Sequence, residues 1–171
     1  MQKFKIFIYY VFIQHLPHSR FIGASNRIRI WYVSKILKIM PYDTKSKFEY
    51  KVYISDSKRL KIGNYVRINE NVFLQGDISI GDHVMIAPNV SIYTKTHIHS
   101  DINTPMVCSG ETKTKQVIIE DDVWLGINTT ILPGVTIGKG SIIGANSLVN
   151  KSIPPYSIFG GVPAKFIKER T

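Results

Sequence analysis

An aliphatic residue returns at every sixth position in two long stretches of this chain. That period differs from the period of an α-helix, about 3.6 residues, and from the period of a flat amphipathic strand, about two. It is typical of short strands separated by turns, with the aliphatic residue and the fifth residue of each hexapeptide pointing inward. The aliphatic positions are Ile62, Ile68, Leu74, Ile80, Ile86, Ile92, Ile119, Leu125, Ile131, Ile137, Ile143 and Val149.

The repeat predicts an all-β solenoid. Three hexapeptides form the sides of one triangular coil, and successive coils stack about 4.8 Å apart. A glycine often follows the inward aliphatic residue, as Gly63, Gly81, Gly138 and Gly144 do. We expect these glycines to supply turns with positive φ, which glycine adopts without steric cost. Four coils are predicted, over residues 62–79, 80–97, 119–136 and 137–154.

Residues 1–55 lack the repeat and are predicted to form an N-terminal helical arm. Helical patterns cover residues 4–16 and 25–40, and Pro17 and Pro41 follow them. The arm is basic and aromatic. We interpret it as a cap, because the end of a solenoid exposes unpaired strand edges; contact with an anionic membrane is the alternative. The other predicted segments are the solenoid, residues 56–154, and a C-terminal segment, residues 155–171.

The period breaks beside two histidines, in the stretch SIYTKTHIHS. Ile92 and Ile119 lie 27 positions apart, which is not a multiple of six, so residues 98–116 are predicted to leave the coil as an extruded loop. In the register of the repeat, Thr96 points inward and His97 points outward where the loop departs. Groups on loops held by a rigid scaffold are often catalytic. An isolated surface histidine, by contrast, usually has no chemical role.

Several motifs go beyond the bare repeat. IGDHVMIAPNVSIYTKTH, DVWLG, ILPGVTIG and GGVPAKFIKER resemble the hexapeptide-repeat acetyltransferases that acetylate sugars, the class of the galactoside and maltose O-acetyltransferases. The resemblance covers residues 62–170, and the arm sequence YYVFIQHLPHSR is similar to arms of capsule and O-antigen acetyltransferases. It implies a left-handed parallel β-helix, a homotrimer, acetyl-coenzyme A as donor, a carbohydrate acceptor, and a role in bacterial surface polysaccharide biosynthesis.

The resemblance also implies roles for individual residues. His97 matches the family's general base at the start of the extruded loop, whereas His99 has no match and is either substrate-side or ordinary surface. Asn69 is the predicted side-chain donor to the developing oxyanion, with Asn71 as the alternative if the alignment slips.

The coenzyme A contacts implied by the resemblance lie in the C-terminal half of the chain. Trp124 is placed beside the acceptor and the thioester arm, and an ordinary packing role is its alternative. Two of the lysines replace family arginines, which keeps the positive charge but loses bidentate geometry. The predicted contacts are Trp124, Ala145, Asn150, Lys151, Lys165 and Lys168.

Charge and composition limit the remaining choices. The formal net charge is +10, from 22 basic and 12 acidic residues, which favours anionic partners. We expect no nucleic acid, since no nucleic-acid-binding motif accompanies the charge. The single cysteine, Cys108, allows no internal disulfide, and no apolar run is long enough to span a bilayer. These features predict a cytoplasmic protein, with a peripheral membrane contact as the alternative placement.

Three other functions remain as alternatives. γ-Class carbonic anhydrases use the same scaffold with three histidine ligands, but this chain lacks the H-x-x-x-x-H pair, so no metal is expected. A non-catalytic trimeric binding module is the second alternative, because fold does not fix function. Antibiotic-modifying acetyltransferases are the third, although this chain lacks their NHxMDG type of signature.

Overall fold

The computed structural model describes residues 2–171, and the six-residue repeat forms short strands on three sides of a prism. In chain order the strands are β1 (Lys47–Phe48), β2 (Tyr53–Ile54), β3 (Leu60–Ile62), β4 (Arg67–Ile68), β5 (Phe73–Leu74), β6 (Ile78–Ile80), β7 (Met85–Ile86), β8 (Ser91–Ile92), β9 (Val117–Ile119), β10 (Trp124–Leu125), β11 (Thr130–Ile131), β12 (Thr136–Ile137), β13 (Ile142–Ile143), β14 (Leu148–Val149), β15 (Ser157–Gly160) and β16 (Lys165–Glu169).

The strands form three sheets. Sheet A has the order β1-β4-β7-β10-β13-β15-β16, sheet B the order β2-β5-β8-β11-β14, and sheet C the order β3-β6-β9-β12. All pairs are parallel except β15 with β16. Arg67 pairs with Met85 in the next coil, and Met85 pairs with Trp124 beyond the loop. Strands β7 and β10 are thus neighbours in sheet A although the whole loop lies between them in sequence. This pairing confirms the predicted solenoid and its extruded loop.

The inward positions of the repeat form one continuous core. Both the aliphatic positions and the fifth positions are buried, including the polar Thr129, Ser141 and Ser147. Ser141 Oγ donates to Pro154 O at 2.7 Å, and Ser147 Oγ donates to Gly144 O at 2.7 Å. Small hydroxyl residues can occupy this core because backbone carbonyls accept their protons.

The predicted role of the glycines is wrong. Gly63, Gly81, Gly138 and Gly144 do not have positive φ; most of the turns with positive φ use other residues. A Cβ on Gly81 would lie only 2.8 Å from the backbone nitrogen of Asp121 in the next coil. Glycine is needed there for the close approach of two coils. The non-glycine residues with positive φ are Lys38, Lys51, Tyr65, Asn71, His83, Asn89, Asp122, Asn128, Asn146 and Tyr156.

The N-terminal arm covers the open end of the solenoid. It contains α1 (Gln2–Val11), a 3₁₀ turn (Ile13–His15), α2 (Gly23–Trp31) and a π-helical turn (Tyr32–Ile36). The hydroxyl of Tyr9 donates to Val52 O at 2.7 Å, and that of Tyr10 donates to Ile54 O at 2.8 Å. These bonds satisfy carbonyls of the first coil that have no preceding coil to pair with.

The solenoid begins earlier in the chain than the repeat predicts. Strand β1 starts at Lys47, inside the segment expected to be the arm, and β2 also precedes residue 56. Lys47 pairs with Arg67, and the sequence separation of these two residues is slightly larger than the regular separation of Arg67 and Met85. The added residues interrupt the six-residue period in the first coil. The sequence pattern therefore does not reveal this coil.

A buried ion pair fastens the cap to the first coil. Arg29 in α2 and Glu49 after β1 are both almost fully buried, with Arg29 Nη2 2.9 Å from Glu49 Oε2. Arg29 also donates to Phe48 O and to Leu16 O. Burial lowers the pKa of Arg29, and the charge of Glu49 opposes that shift. Glu49 also accepts hydrogen bonds from the backbone N–H and the hydroxyl of Ser19.

The described residues contain no helix that is both long and apolar enough to cross a membrane.

Candidate active site

The extruded loop is held at its base by hydrogen bonds between its two ends. Thr112 N donates to Thr96 O at 2.8 Å, and Ile98 N donates to Gly110 O at 3.1 Å. His97 lies between these contacts, opposite Glu111, and is exposed. The predicted placement of His97, outward where the loop departs, therefore agrees with the structure.

The inward placement predicted for Thr96 is wrong. Thr96 is exposed, whereas Thr94 is fully buried and is the last residue that follows the coil. Thr94 Oγ1 donates to Gln75 O at 2.7 Å, and Lys115 N donates to Thr94 O at 2.7 Å. The chain thus leaves and re-enters the coil beside Thr94, because these hydrogen bonds close the coil before position 96.

An open groove of about 410 Å³ runs along the corner between sheets B and C, below the loop. Its lining is mostly polar and includes Asp56, Arg59, Lys95 and Glu111. Lys95 forms an ion pair with Glu111. The hydrogen bond from Lys95 is the main cause that lowers the pKa of the Glu111 carboxyl, and the charges of Lys95 and His97 add to it.

Asn69 lies in a second groove, of about 310 Å³, between the cap and the solenoid. Its Nδ2 donates to Ile86 O at 2.8 Å, which uses one of its two N–H groups and leaves the other for a ligand. His18 and Glu70 line the same groove, with His18 Nε2 3.6 Å from Glu70 Oε2.

Asn71 has a different environment. It has a φ of 57° and donates to Asn89 at 3.2 Å, at the start of a ladder of asparagine side chains along the corner between sheets A and B. Asn89 donates in turn to Asn128 at 3.0 Å, and Asn128 to Asn146 at 2.9 Å. Asn69 and Asn71 each donate one N–H group within the chain, and Asn69 in addition lines the groove between the cap and the solenoid.

Asn69 and His97 lie at different corners of one chain. Asn69 follows β4 of sheet A, whereas His97 follows β8 of sheet B. One solenoid therefore does not bring the two side chains to the same corner.

A β-bulge places two predicted cofactor residues on one face. Lys165 and Lys168 are three positions apart, which in a regular strand gives opposite faces. The register between β15 and β16 shifts between Ile158 and Phe159, so Lys168 pairs with Ile158 and Lys165 pairs with Gly160. Because paired residues share a face, and Ile158 and Gly160 are two apart, both lysines lie on the same face.

Trp124 belongs to the same outer face of sheet A. It is 45% exposed, pairs with Ile142, and Ile142 pairs in turn with Ile158. Ala145 follows β13 at the A–B corner and is exposed. The other two predicted contacts, Asn150 and Lys151, are exposed at the B–C corner, where His97 also lies. The exposed lysines, Lys151, Lys165 and Lys168, are suited to the phosphates of coenzyme A, although as point charges rather than bidentate partners.

Sequence reasoning missed four polar residues near the predicted site. Lys95 and Glu111 meet only because the loop ends pair, and that pairing has no six-residue period. His18 reaches Glu70 only because the cap docks on the first coil. His99 and Cys108, by contrast, are exposed on the loop, and no contact in the structure assigns either a role. Within residues 2–171, no three side chains of histidine, cysteine, aspartate or glutamate are grouped to hold a metal ion.

Known proteins share both the repeat and the fold. The family model described as bacterial transferase hexapeptide (six repeats) matches residues 60–94 and 116–151. A hexapeptide-repeat-containing acetyltransferase from Vibrio cholerae, solved in complex with acetyl-coenzyme A, is 35% identical with a TM-score of 0.75, and the match covers 84% of this chain and 77% of that one. The chain belongs to the hexapeptide-repeat acetyltransferase family. Its fold is accordingly the left-handed parallel β-helix that the resemblance implied.

Curated members of the hexapeptide-repeat acetyltransferase family are longer than the matched region. Galactoside O-acetyltransferase of Escherichia coli strain K12 is 39% identical over 121 residues, which are 69% of this chain and 58% of that protein. A protein of the same strain, provisionally named a lipopolysaccharide biosynthesis O-acetyltransferase, is 38% identical over 112 residues, 61% of this chain and 57% of that protein. The chain thus spans somewhat more than half the length of these relatives.

Proposed function

We propose that this protein transfers an acetyl group from acetyl-coenzyme A to a sugar hydroxyl, as a step in bacterial surface polysaccharide biosynthesis. The observation that carries the proposal is the position of His97, exposed and held at the base of the extruded loop. The residues predicted to bind acetyl-coenzyme A lie in coils after His97, and Asn69 lies in the coil before it. Along the solenoid axis, His97 thus lies between the proposed binding side for acetyl-coenzyme A and the proposed binding side for the acceptor.

The active unit in this proposal is a homotrimer. The site residues of one chain are divided between two corners and one face of the prism. Three copies around a threefold axis form heterologous contacts, in which one surface of a copy meets a different surface of the next. If the B–C corner of one copy faces the A–B corner of its neighbour, His97 and Asn69 meet in the cleft between them. The division of the site over two corners supports this arrangement.

His97 is proposed to act as the general base. A sugar hydroxyl is almost fully protonated at neutral pH, so its attack on an acyl carbon needs a group that removes the proton as the bond forms. General-base catalysis of this kind contributes about 10²- to 10⁴-fold in rate. His97 would accept that proton and later return one to the departing thiolate, and no covalent acyl-enzyme is needed. Asn69 would donate its free N–H to the carbonyl oxygen as that oxygen gains negative charge.

In this proposal acetyl-coenzyme A binds along the outer face of sheet A and at the A–B and B–C corners. Acetyl-coenzyme A supplies the activated acetyl group as a thioester. Lys165 and Lys168 offer two positive charges on one face for its phosphate groups, and Lys151 offers a third at the B–C corner. Trp124, Ala145 and Asn150 are proposed to line the path of the pantetheine arm. Because acetyl-coenzyme A is a cytoplasmic metabolite, the reaction is placed in the cytoplasm.

The acceptor is proposed to be a carbohydrate. The groove at Lys95 and Glu111, at the base of the loop, and the groove at Asn69 are lined mainly by charged and hydroxyl side chains, which can hydrogen-bond several hydroxyls of a sugar. The names of the two curated relatives, one galactoside and one lipopolysaccharide enzyme, support the same class of acceptor.

The decisive experiment compares His97→Ala with His99→Ala, two exposed histidines two positions apart on the same loop. Purified protein is incubated with acetyl-coenzyme A and a panel of sugars and nucleotide sugars, and the release of free thiol is measured. We expect His97→Ala to lower the rate by about 10²- to 10⁴-fold while acetyl-coenzyme A still binds by calorimetry. His99→Ala serves as the control and should stay within about threefold of the unmodified protein.

The proposal fails if His97→Ala retains near-normal turnover. The panel also contains a macrolide antibiotic, so that acetylation of the macrolide with no acetylated sugar would identify a different acceptor class.

A further inference from the structure

The outer surface of the cap combines exposed aromatic side chains with positive charge. Along α1, Phe4 and Phe7 are 66% and 58% exposed, and Phe12 just beyond the helix is 63% exposed. Along α2, the exposed residues include Ile28 and Trp31. A helix that packs on a core normally buries its apolar residues and exposes polar ones. Both helices of this cap expose an apolar stripe, although each also buries residues, Tyr9 in α1 and Arg29 and Ile30 in α2.

The two stripes lie on the same side of the molecule. Tyr9 of α1 and Arg29 of α2 both donate to backbone carbonyls of the first coil, so both helices turn one side toward the solenoid. The helical segments also contact each other, since Tyr32 Oη donates to Lys5 O at 2.7 Å. Their opposite sides therefore both face away from the solenoid.

The charge of the cap is entirely positive. The first 42 residues contain seven of the chain's 22 basic residues and none of its 12 acidic residues. Lys3, Arg27 and Lys35 are exposed on the helices, beside the apolar stripes. Aromatic side chains partition into the interfacial region of a bilayer, and each nearby basic residue adds about 1 kcal/mol of attraction to an anionic membrane surface.

We propose that the outer surface of the cap, formed by α1 and α2, docks the protein on a membrane surface that contains anionic lipid. A second copy of the chain is a poorer occupant, because a symmetric contact through this surface brings two positively charged layers together. The cap also supplies His18 and Arg20 to the groove at Asn69, so docking turns the acceptor side of the site toward the bilayer. That orientation rests on the proposed function, whereas the docking itself does not.

The test uses the full-length chain and co-sedimentation with vesicles, either of neutral phosphatidylcholine or with about 30% anionic phosphatidylglycerol. We expect binding to the anionic vesicles only, and weaker binding as salt is raised because the charges are screened. Phe4→Ser with Phe7→Ser, and separately Arg27→Glu with Lys35→Glu, should each reduce the partition coefficient by about tenfold or more.

Matched controls change residues outside the cap that are at least as exposed. Ile102→Ser with Val107→Ser removes exposed apolar side chains from the loop, and Lys113→Glu with Lys139→Glu reverses exposed charges. Both controls should bind anionic vesicles as the unmodified protein does, and so should His97→Ala, which separates docking from catalysis. Circular dichroism confirms that each variant is folded.

The proposal is overturned if the full chain does not bind anionic vesicles, if the cap variants bind as well as the controls, or if the Phe4→Ser and Phe7→Ser pair lowers the oligomeric mass by light scattering. The last result would assign the surface to contacts between copies.

Discussion

Glu49 joins the cap to the first coil through its ion pair with the buried Arg29. An amide at position 49 keeps the shape of the side chain but leaves the guanidinium buried without a counter-charge. We expect Glu49→Gln to lower the free energy of unfolding by about 3–5 kcal/mol, the usual cost of removing one partner of a buried pair. Thermal and urea unfolding followed by circular dichroism measure the change.

The control for Glu49 is Asp56→Asn, the same kind of substitution in an exposed pair. Asp56 Oδ2 lies 3.8 Å from Arg59 Nε, and the two side chains are 40% and 60% exposed. Exposed pairs contribute at most about 1 kcal/mol, so the two variants should differ by several-fold in their effect. Equal effects would show that the buried charge does not determine the stability of the junction.

Gly81 and Gly23 provide a second comparison at the level of single residues. A Cβ on Gly81 would meet Asp121 Oδ1 at 2.4 Å and the backbone of the next coil, whereas a Cβ on Gly23 has no atom within 4 Å. Gly81→Ala should therefore cost about 1–3 kcal/mol through overpacking. Gly23→Ala, at the start of α2, should be neutral or stabilise by up to about 1 kcal/mol. The same unfolding measurements test both, and a neutral Gly81→Ala would contradict the argument.

At the scale of the structural element, the asparagine ladder holds the A–B corner of successive coils together. Asn89 accepts from Asn71, donates to Asn128 and has a φ of 59°. Alanine at this position loses both side-chain bonds and strains the left-handed backbone, which costs about 1–2 kcal/mol for the strain alone. Glycine loses the bonds without the strain.

We therefore expect Asn89→Ala to destabilise the protein by about 2 kcal/mol and Asn89→Gly by about half as much. Chemical unfolding curves of the two variants provide the comparison. If Asn89→Gly destabilises the protein as much as Asn89→Ala, the hydrogen bonds of the ladder contribute more to stability at this position than the backbone conformation does.

The six-residue period of the sequence was sufficient to predict the strands and the core of the coils that follow this period. The inward positions of the repeat are buried as predicted, with the exception of Thr96, because a hexapeptide places them on the same side in every coil. Features that depend on contacts between non-periodic segments were not predictable. Thr94 ends the coil through Gln75, and the bulge in the last hairpin unites Lys165 with Lys168. The sequence also could not show that Asn69 lines a groove, because that groove forms only when the cap docks on the solenoid.

At the scale of the whole molecule, the predicted catalytic residues belong to different corners of the prism. In the proposed trimer each active site takes His97 from one copy and Asn69 from the next. This arrangement predicts a mass in solution of about three times 19.4 kDa by light scattering. It also predicts that two inactive variants can restore each other's activity within one assembly.

The variants His97→Ala and Asn69→Ala are suited to that experiment, because each leaves the other residue intact. When they are co-expressed in equal amounts, a site is complete where a chain with His97 precedes a chain with Asn69, which is about one quarter of the sites in randomly mixed trimers. Thiol release should then recover to about a quarter of the unmodified rate, far above either variant alone. If the two residues acted within one chain, no mixed trimer would contain a complete site, and the activity of the mixture would stay at the mean of its parts.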